Sequence, residues 1–473
     1  MDAATAWIVA AASLLAALIG PVAAGHAMLT KREPQVAASW MAVCLLFPVA
    51  GALFYYLFGI NRVRTRARKL VEQERIPPSP GPSAETHSPS IGPEYAEQIR
   101  ISDAVTGRPL EYGNRIQVLH NGEQAFPTML EAIDRAQETV YLSTYIFESN
   151  SSGRQFVRAL TAAYRRGVDV RVLIDGIGEL YSWPRVSKLL QRNGVPVARF
   201  LPPRLIPPQV SINLRNHRKI LVVDGQTSFT GGMNLGDRHL MQTDREHRVA
   251  DVHFLIDGPV AAQMEEVFLE DWAFTTGEPQ SHSSRGRPHA DGALCRILTD
   301  GPNEDLDRLV MTLIGALSAA RDEVWMVTPY FLPMRSLMTA MEAAALRGVR
   351  VNVLLPEENN LRFVHWATRH MLGELIHWGV DIYYQPPPFA HTKLFVVDRR
   401  YAQVGSANLD PRSLRLNFEL NAEIYDPSIA REMAADCERI RARSRPVTAE
   451  ELAERAPAER LRDAAFWLAS PYL

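Results

Sequence analysis

The chain repeats itself at one place, and that repeat limits what it can fold into more than any other feature. The run HRKILVVD, His217 to Asp224, returns as HTKLFVVD, His391 to Asp398. In each, a histidine is followed two residues later by a lysine, then by an apolar stretch, then by an aspartate. A glycine-led turn follows each run at the same distance, GGMN from Gly231 and GSAN from Gly405. Alternate side chains of a strand share a face, so the histidine and lysine of each run project together. The branched residues behind them anchor the strand in a sheet core.

The flanks repeat as well. AIDRAQETVYLSTYIF leads through a helix to RRGVDVRVLID, and ALSAARDEVWMVTPYF leads through a similar helix to LRGVRVNVLLP. Each half reads helix, apolar strand, helix, glycine, apolar strand, which is a βαβ pattern. A proline-rich loop, LPPRLIPPQ or QPPPFA, then enters the His-x-Lys strand. The expected fold class is α/β, with two tandem α-β-α sandwich domains, residues 96–285 and 286–473, related by a pseudo-twofold axis.

The N-terminus is of a different kind. Residues 3–25 carry no charge, and a second uncharged run covers 34–61. Each can hold the roughly 20 apolar residues that span a bilayer. The first lacks the basic leader of a signal peptide and is followed at once by the second run. A two-helix transmembrane hairpin over residues 1–61 is the expectation. RVRTRARK, Arg62 to Lys69, outweighs Lys31 and Arg32 in the connecting loop. That bias puts the rest of the chain on the cytoplasmic side of the cell (inner) membrane, as a multi-pass protein. The cluster also suits anionic head groups. Residues 62–95 form a basic and Pro/Ser-rich linker, extended over 76–93.

Net charge is −2, so no global basic field points to nucleic acid. The three cysteines, Cys44, Cys295 and Cys437, form no CxxC pair, which argues against a disulfide framework or a zinc site.

The repeated groups suit one kind of ligand. The turns offer backbone amides, the side chains of Asn234 and Asn408, and the hydroxyl of Ser406; Lys219 and Lys393 add positive charge. Such a set fits a phosphate. Two histidines at one phosphate divide the work: one, neutral, attacks phosphorus, and the other gives a proton to the leaving oxygen and later acts as base. No metal or cofactor is required, and each half supplies one member of the pair.

The pattern HxKxxxxDxxxxxxG[SG]xN in duplicate resembles the phospholipase D superfamily. With the N-terminal run TKREPQVAASWMAVCLLFPVAGALFYYLFG, the chain is similar to bacterial cardiolipin synthases over essentially its whole length. The resemblance implies that His217 and His391 are nucleophile and general acid, with His217 the nucleophile, and that Lys219 and Lys393 bind the diester. Asn234, Ser406 and Asn408 would support it. Asp224 and Asp398 complete the catalytic motif and, lying at strand ends, hold the site together. Asp251 and Glu419 would each orient a histidine. Gly232 departs from the family pattern, where serine is usual, and removes a hydroxyl donor there.

The superfamily contains transferases, phospholipases and nucleases, so fold alone does not choose among them. The resemblance and the membrane segment together imply phosphatidyl transfer between two phosphatidylglycerol molecules, giving cardiolipin and glycerol through a phospho-histidine. A phospholipase D-type hydrolase, or a nuclease, is the alternative. Phospholipids and the bilayer are the expected partners. The loops Leu201 to Ile212 and Tyr383 to Ala390 either dip toward the bilayer or pack on the sheet. The C-terminal helix, with Leu461, Ala465 and Leu468 on one face and Phe466 and Trp467 beside it, either binds the interface or docks on the soluble part.

Overall fold

The computed structural model describes residues 3–31, 34–59, 95–203, 214–242, 247–278, 286–301 and 307–470. The N-terminal helices form one compact unit and the larger remainder another.

In the N-terminal unit, Ala3–Thr30 is one helix of 28 residues. The second apolar run is not one continuous helix. It breaks into Pro34–Leu46, Pro48–Phe54 and a wide helical turn, Tyr55–Gly59. Pro48 has no N–H to donate, and Phe47 before it leaves the helical region (φ −128°, ψ 72°). Among the described residues no helix is long and apolar enough to cross a membrane. The side chains of residues 3–6 and 8–16, on which the first expected span rests, lie outside that description, as do the basic cluster 62–69 and the tether 76–93.

The larger unit is built on strands whose order repeats. The first half contributes β1 (Glu111–His120), β2 (Thr139–Thr144), β3 (Asp169–Asp175), β4 (Val197–Phe200), β5 (Ile220–Val223), β6 (Thr227–Gly231), β7 (Val249–Ala250) and β8 (Val252–Asp257). The second contributes β9 (Ala293–Asp300), β10 (Glu323–Val327), β11 (Arg350–Pro356), β12 (Asp381–Gln385) and β13 (Phe389–Ala390). It continues with β14 (Leu394–Val397), β15 (Tyr401–Gly405), β16 (Glu419–Tyr425) and β17 (Arg445–Pro446). One 15-stranded sheet runs β17-β12-β11-β10-β14-β15-β16-β9-β1-β8-β6-β5-β2-β3-β4. Outward from the β9–β1 seam the order is 9-16-15-14-10-11-12 on one side and 1-8-6-5-2-3-4 on the other. The two halves therefore share one seven-strand topology, to which the second half adds β17 at its edge.

β2, β3 and β4 are parallel, as are β10, β11 and β12. Parallel strands are covered on both faces, which is why VRVLID and VNVLLP are almost unbroken apolar runs. The helices Asn121–Arg135 and Ser151–Arg165 cover one face of the first half through Phe126, Phe156 and Leu160. Arg308–Ala319, Arg335–Leu346 and Arg362–His377 do the same for the second through Leu313, Met341 and Leu372. A third core joins Val222, Phe254 and Val260 of the first half to Trp325, Val396 and Ala430 of the second. The helix Ala96–Thr106, which opens the first half in sequence, lies against the second half: Ser102 donates to Glu423 (2.7 Å).

The C-terminal helix Pro457–Leu468 docks on the helix Arg362–His377. Phe466 meets Trp366 and Trp467 meets His370, with ring centroids 5.1 and 4.8 Å apart. Buried Asp463 pairs across the contact with Arg369 (3.5 Å) and, within its own segment, accepts from Arg455 (2.6 Å) and Arg462 (2.7 Å). Leu461, Ala465 and Leu468 point to solvent.

Candidate active site

The His-bearing segment of each half pairs with the acid-bearing segment of the other. The N–H of His217 donates to the Phe418 carbonyl (2.9 Å), and the N–H of Phe418 to the Arg215 carbonyl (2.9 Å). In the same way β13 runs parallel to β7, and the N–H of His391 donates to the Ala250 carbonyl (2.8 Å). Each backbone pairing sets the next residue along in place. Glu419, from the second half, lies 3.1 Å from Nδ1 of His217; Asp251, from the first, lies 2.9 Å from Nδ1 of His391. A neutral imidazole that donates Nδ1–H to a carboxylate keeps its lone pair on Nε2, the nitrogen that can attack phosphorus or carry a proton to a leaving group.

The lysines sit behind the histidines. Lys219 Nζ donates to the His217 carbonyl and Lys393 Nζ to the His391 carbonyl, both at 2.6 Å. Lys393 Nζ also lies 3.1 Å from Nδ1 of His391. Burial pulls Lys219 down to about 7 and Lys393 to about 8. Burial and the two lysine charges push His217 well below the ordinary histidine range. Burial and Lys393 push His391 down to about 3, against the pull of Asp251. Both lysine charges reach both histidines, so the four groups form one electrostatic cluster. The acids differ. Burial would raise Asp251, but the bond from His391 and the Lys393 charge outweigh it and hold the carboxyl at about 2. Burial raises Glu419 to about 7, with Lys219 and Ser406 pulling the other way. The site thus has sparse negative charge around two lysines, and an incoming phosphodiester anion would supply it.

Asp224 and Asp398 are not in this cluster, which corrects their place in the catalytic set. β5 is antiparallel to β2, with Val223 opposite Val140 and Ile220 opposite Ser143. His217 and Asp224 are therefore at opposite ends of the strand. Asp224 accepts from the backbone N–H groups of Gln137 (2.9 Å), Glu138 (2.8 Å) and Thr139 (2.9 Å). Asp398 accepts from Arg321 (2.9 Å), Asp322 (2.8 Å) and Glu323 (2.9 Å). Each pins the start of the strand that carries the next part of the site, as its strand-end position implied.

Ser406 is engaged with Glu419, donating to it at 2.5 Å and accepting from the Leu420 N–H at 3.0 Å. It positions that acid rather than facing a ligand. Asn234 Oδ1 accepts from the Ile146 N–H (3.2 Å), tying the turn to the end of β2. Asn408 donates to Ser413 (3.0 Å), while its buried Oδ1 has no partner among the described residues. Gly232 now has a physical reason. A Cβ there would stand 2.6 Å from Asp251 Oδ2 and 2.9 Å from the His391 carbonyl. The shorter acid of this half occupies the space that a serine would need.

Sequence reasoning passed over Tyr145 and Tyr330. Their rings stand edge-on to His217 (5.3 Å) and His391 (6.4 Å). Both follow a β2-like strand, in TYIF and TPYF, but one residue out of step, Tyr145 matching Pro329 and Ile146 matching Tyr330, so aligning the halves would not have paired them. His239 accepts from the Asn234 N–H at 3.2 Å and contacts the Val249 carbonyl at 3.2 Å, bracing the turn against β7. Arg218 is buried, bonded to Asp271 (2.8 Å) and to the Glu419 carbonyl (3.1 Å), and ties the two halves at the site.

A search against known proteins agrees with this geometry. A family model described as "Cardiolipin synthase, PLD-like domain" matches residues 129–272 and 313–441, and a second, "Phospholipase_D-nuclease N-terminal", matches 5–59. A cardiolipin synthase of Geobacillus kaustophilus is 33% identical over 407 residues, covering 84% of this chain and 81% of that one. The major cardiolipin synthase of Bacillus subtilis is 30% identical over 467 residues, covering 94% and 95%. In fold, the chain is similar to the crystal structure of phosphatidylserine synthase of Haemophilus influenzae, with a TM-score of 0.61 at 16% identity over 80% of this chain and all of that one. With two repeats matched and most of the length shared with curated relatives, the chain belongs to the phospholipase D-like cardiolipin synthase family.

Proposed function

We propose that this protein transfers a phosphatidyl group between two phosphatidylglycerol molecules. The observation that carries the reading is the crosswise pairing of each histidine with the other half's acid, Glu419 on His217 and Asp251 on His391. Nε2 of His217 attacks the phosphorus of the first lipid. Burial and Lys393 alone hold His391 neutral, but the negative charge of the bound diester and ionised Asp251 favour its protonated form. As the bond from phosphorus to the glycerol oxygen breaks, that oxygen takes the proton from His391. His391, now neutral, removes the proton from a hydroxyl of the second phosphatidylglycerol. That oxygen attacks phosphorus, the P–N bond breaks, and cardiolipin leaves with His217 restored. Ionised Asp251 suits the histidine that must become cationic, and Glu419, raised to about 7, suits the one that must stay neutral. Lys219 and Lys393 neutralise the phosphate in both steps.

Residues 96–285 and 286–473 act as the two half-sites. The N-terminal helices hold the protein in the cell membrane, with the catalytic unit on the cytoplasmic side. Fourteen of the twenty-four large hydrophobic side chains exposed among the described residues fall between Trp7 and Tyr56, as expected for helices that face lipid.

The test is purified protein in mixed micelles of detergent and phosphatidylglycerol, with EDTA and no nucleotide-activated lipid. Equimolar cardiolipin and glycerol, lost in both His217→Ala and His391→Ala, is the expected result. Phosphatidic acid and glycerol without cardiolipin would make water the acceptor and the protein a hydrolase.

A further inference from the structure

Outside the N-terminal unit only ten large hydrophobic side chains are well exposed among the described residues, and three of them fall within four positions. These are Leu180 (51%), Tyr181 (60%) and Trp183 (81%), in the loop that leaves the C-terminal end of β3. That is the end of the sheet where the histidines lie. Tyr181 stands 6.4 Å, ring to ring, from Tyr145, which in turn stands 5.3 Å from His217.

The exposure is built in. Asp175 accepts from the N–H groups of Ile177 (2.8 Å) and Gly178 (3.1 Å). Ser182 Oγ accepts from the Ser149 N–H at 2.7 Å. Glu179 turns inward, where it meets Ser187 and Arg199. Gly178 has no space for a side chain against the Tyr145 carbonyl. A backbone tied down at this many points does not fold its apolar side chains away. The residues that follow bear one sign of charge: from Leu180 to Asn193 the chain has Arg185, Lys188 and Arg192 and no acidic residue.

We propose that Leu180, Tyr181 and Trp183 insert into the surface of an anionic phospholipid bilayer beside the site's mouth, with Arg185, Lys188 and Arg192 against the head groups. Indole and phenol rings favour the interfacial layer, where the ring is in an apolar zone and the N–H or O–H stays wet, and each basic group adds attraction to an anionic leaflet. The loop would seat the unit so that a head group reaches His217 without the lipid leaving the membrane. This rests on the reading that the substrate is a membrane phospholipid.

The experiment uses the full chain in proteoliposomes, with an environment-sensitive fluorophore on Trp183→Cys; the three native cysteines are buried. The control carries the label on Leu346→Cys, an exposed position at the N-terminal end of β11, the opposite end of the sheet. Bilayers contain brominated phosphatidylcholine with or without phosphatidylglycerol. The expected result is quenching severalfold stronger at 183 than at 346, and stronger again with the anionic lipid. Equal quenching at both positions overturns the proposal. So does self-quenching that scales with protein density and ignores the brominated lipid, which would mean that a second copy covers the loop. In a second arm, Leu180→Ser with Trp183→Ser slows cardiolipin formation from vesicles severalfold but not from short-chain phosphatidylglycerol dispersed below its micelle concentration; equal slowing on both overturns the proposal. Should the unmodified protein make no cardiolipin at all, the activity reading fails while the quenching contrast still decides the loop.

Discussion

Asp251→Asn keeps the shape of the side chain and removes its charge, which separates holding His391 from stabilising its cation. The substitution is expected to lower kcat by about a hundred- to ten-thousandfold with little change in KM, the range typical of an acid that orients a catalytic imidazole. A KM effect alone would count against the assignment. Gly232→Ser restores the residue usual in the family pattern, yet its Cβ would stand 2.6 Å from the Asp251 carboxylate. We expect it to cost about tenfold or more in kcat unless Asp251 is moved too, and steady-state rates of the single and double variants would read this out. The histidines and the lysines were legible from their spacing in the sequence, and the two acids only through the family resemblance. Which acid serves which histidine was not, because that depends on contacts more than a hundred residues apart, His217 with Glu419 and His391 with Asp251.

At the scale of the elements, the repeat HxKxxxxD told where the strands lie, and the alternation of its residues told which side faces the site. It put the aspartate at the strand end, yet the motif's name groups that residue with a histidine that the strand holds at its other end. Asp224→Ala removes the acceptor of three consecutive backbone N–H groups. It should destabilise the fold by about 2–3 kcal/mol, while the folded fraction keeps near-normal kcat. Thermal melts together with active-site titration would show this; a large kcat loss with unchanged Tm would restore Asp224 to the chemistry. The break at Pro48 was written in the second apolar run as well, but uniform hydropathy concealed it. The C-terminal helix was read as apolar along Leu461, Ala465 and Leu468, yet it docks through its aromatic residues because Trp366 and His370 offer a matching surface.

For the molecule as a whole, pH tests the electrostatic cluster. Lys219 and Lys393, lowered to about 7 and about 8, lose their charge as pH rises through those values, so kcat/KM should begin to fall above pH 7 and fall more steeply above pH 8. Each required lysine then contributes up to about tenfold per pH unit. A flat profile to pH 9.5 would refute their role in holding the phosphate. Stability responds to acid. His217, His239, His253 and His391 all have folded pKa values below the ordinary 6.5. Their contribution is present above pH 6.5 and is lost as pH falls below it, because the unfolded chain takes up protons that the folded one refuses. Glu265 and Glu419, raised from 4.5 to about 7, and Asp410, raised from 3.8 to about 6, act in the opposite sense, but His365, lowered to about 4, adds to the histidine side and keeps it the larger. Tm should therefore drop between pH 7 and pH 5 in differential scanning calorimetry, and a rising Tm would show that these histidines are not buried neutral. The exchange of acids between the halves also has a genetic consequence. A chain with His217→Ala and another with Glu419→Gln, produced in one cell, should not rescue each other, because the lesions lie in one composite centre closed within each polypeptide. Only recombination that puts both intact halves back into one reading frame restores growth that depends on the product, so the duplicated gene behaves as a single complementation group.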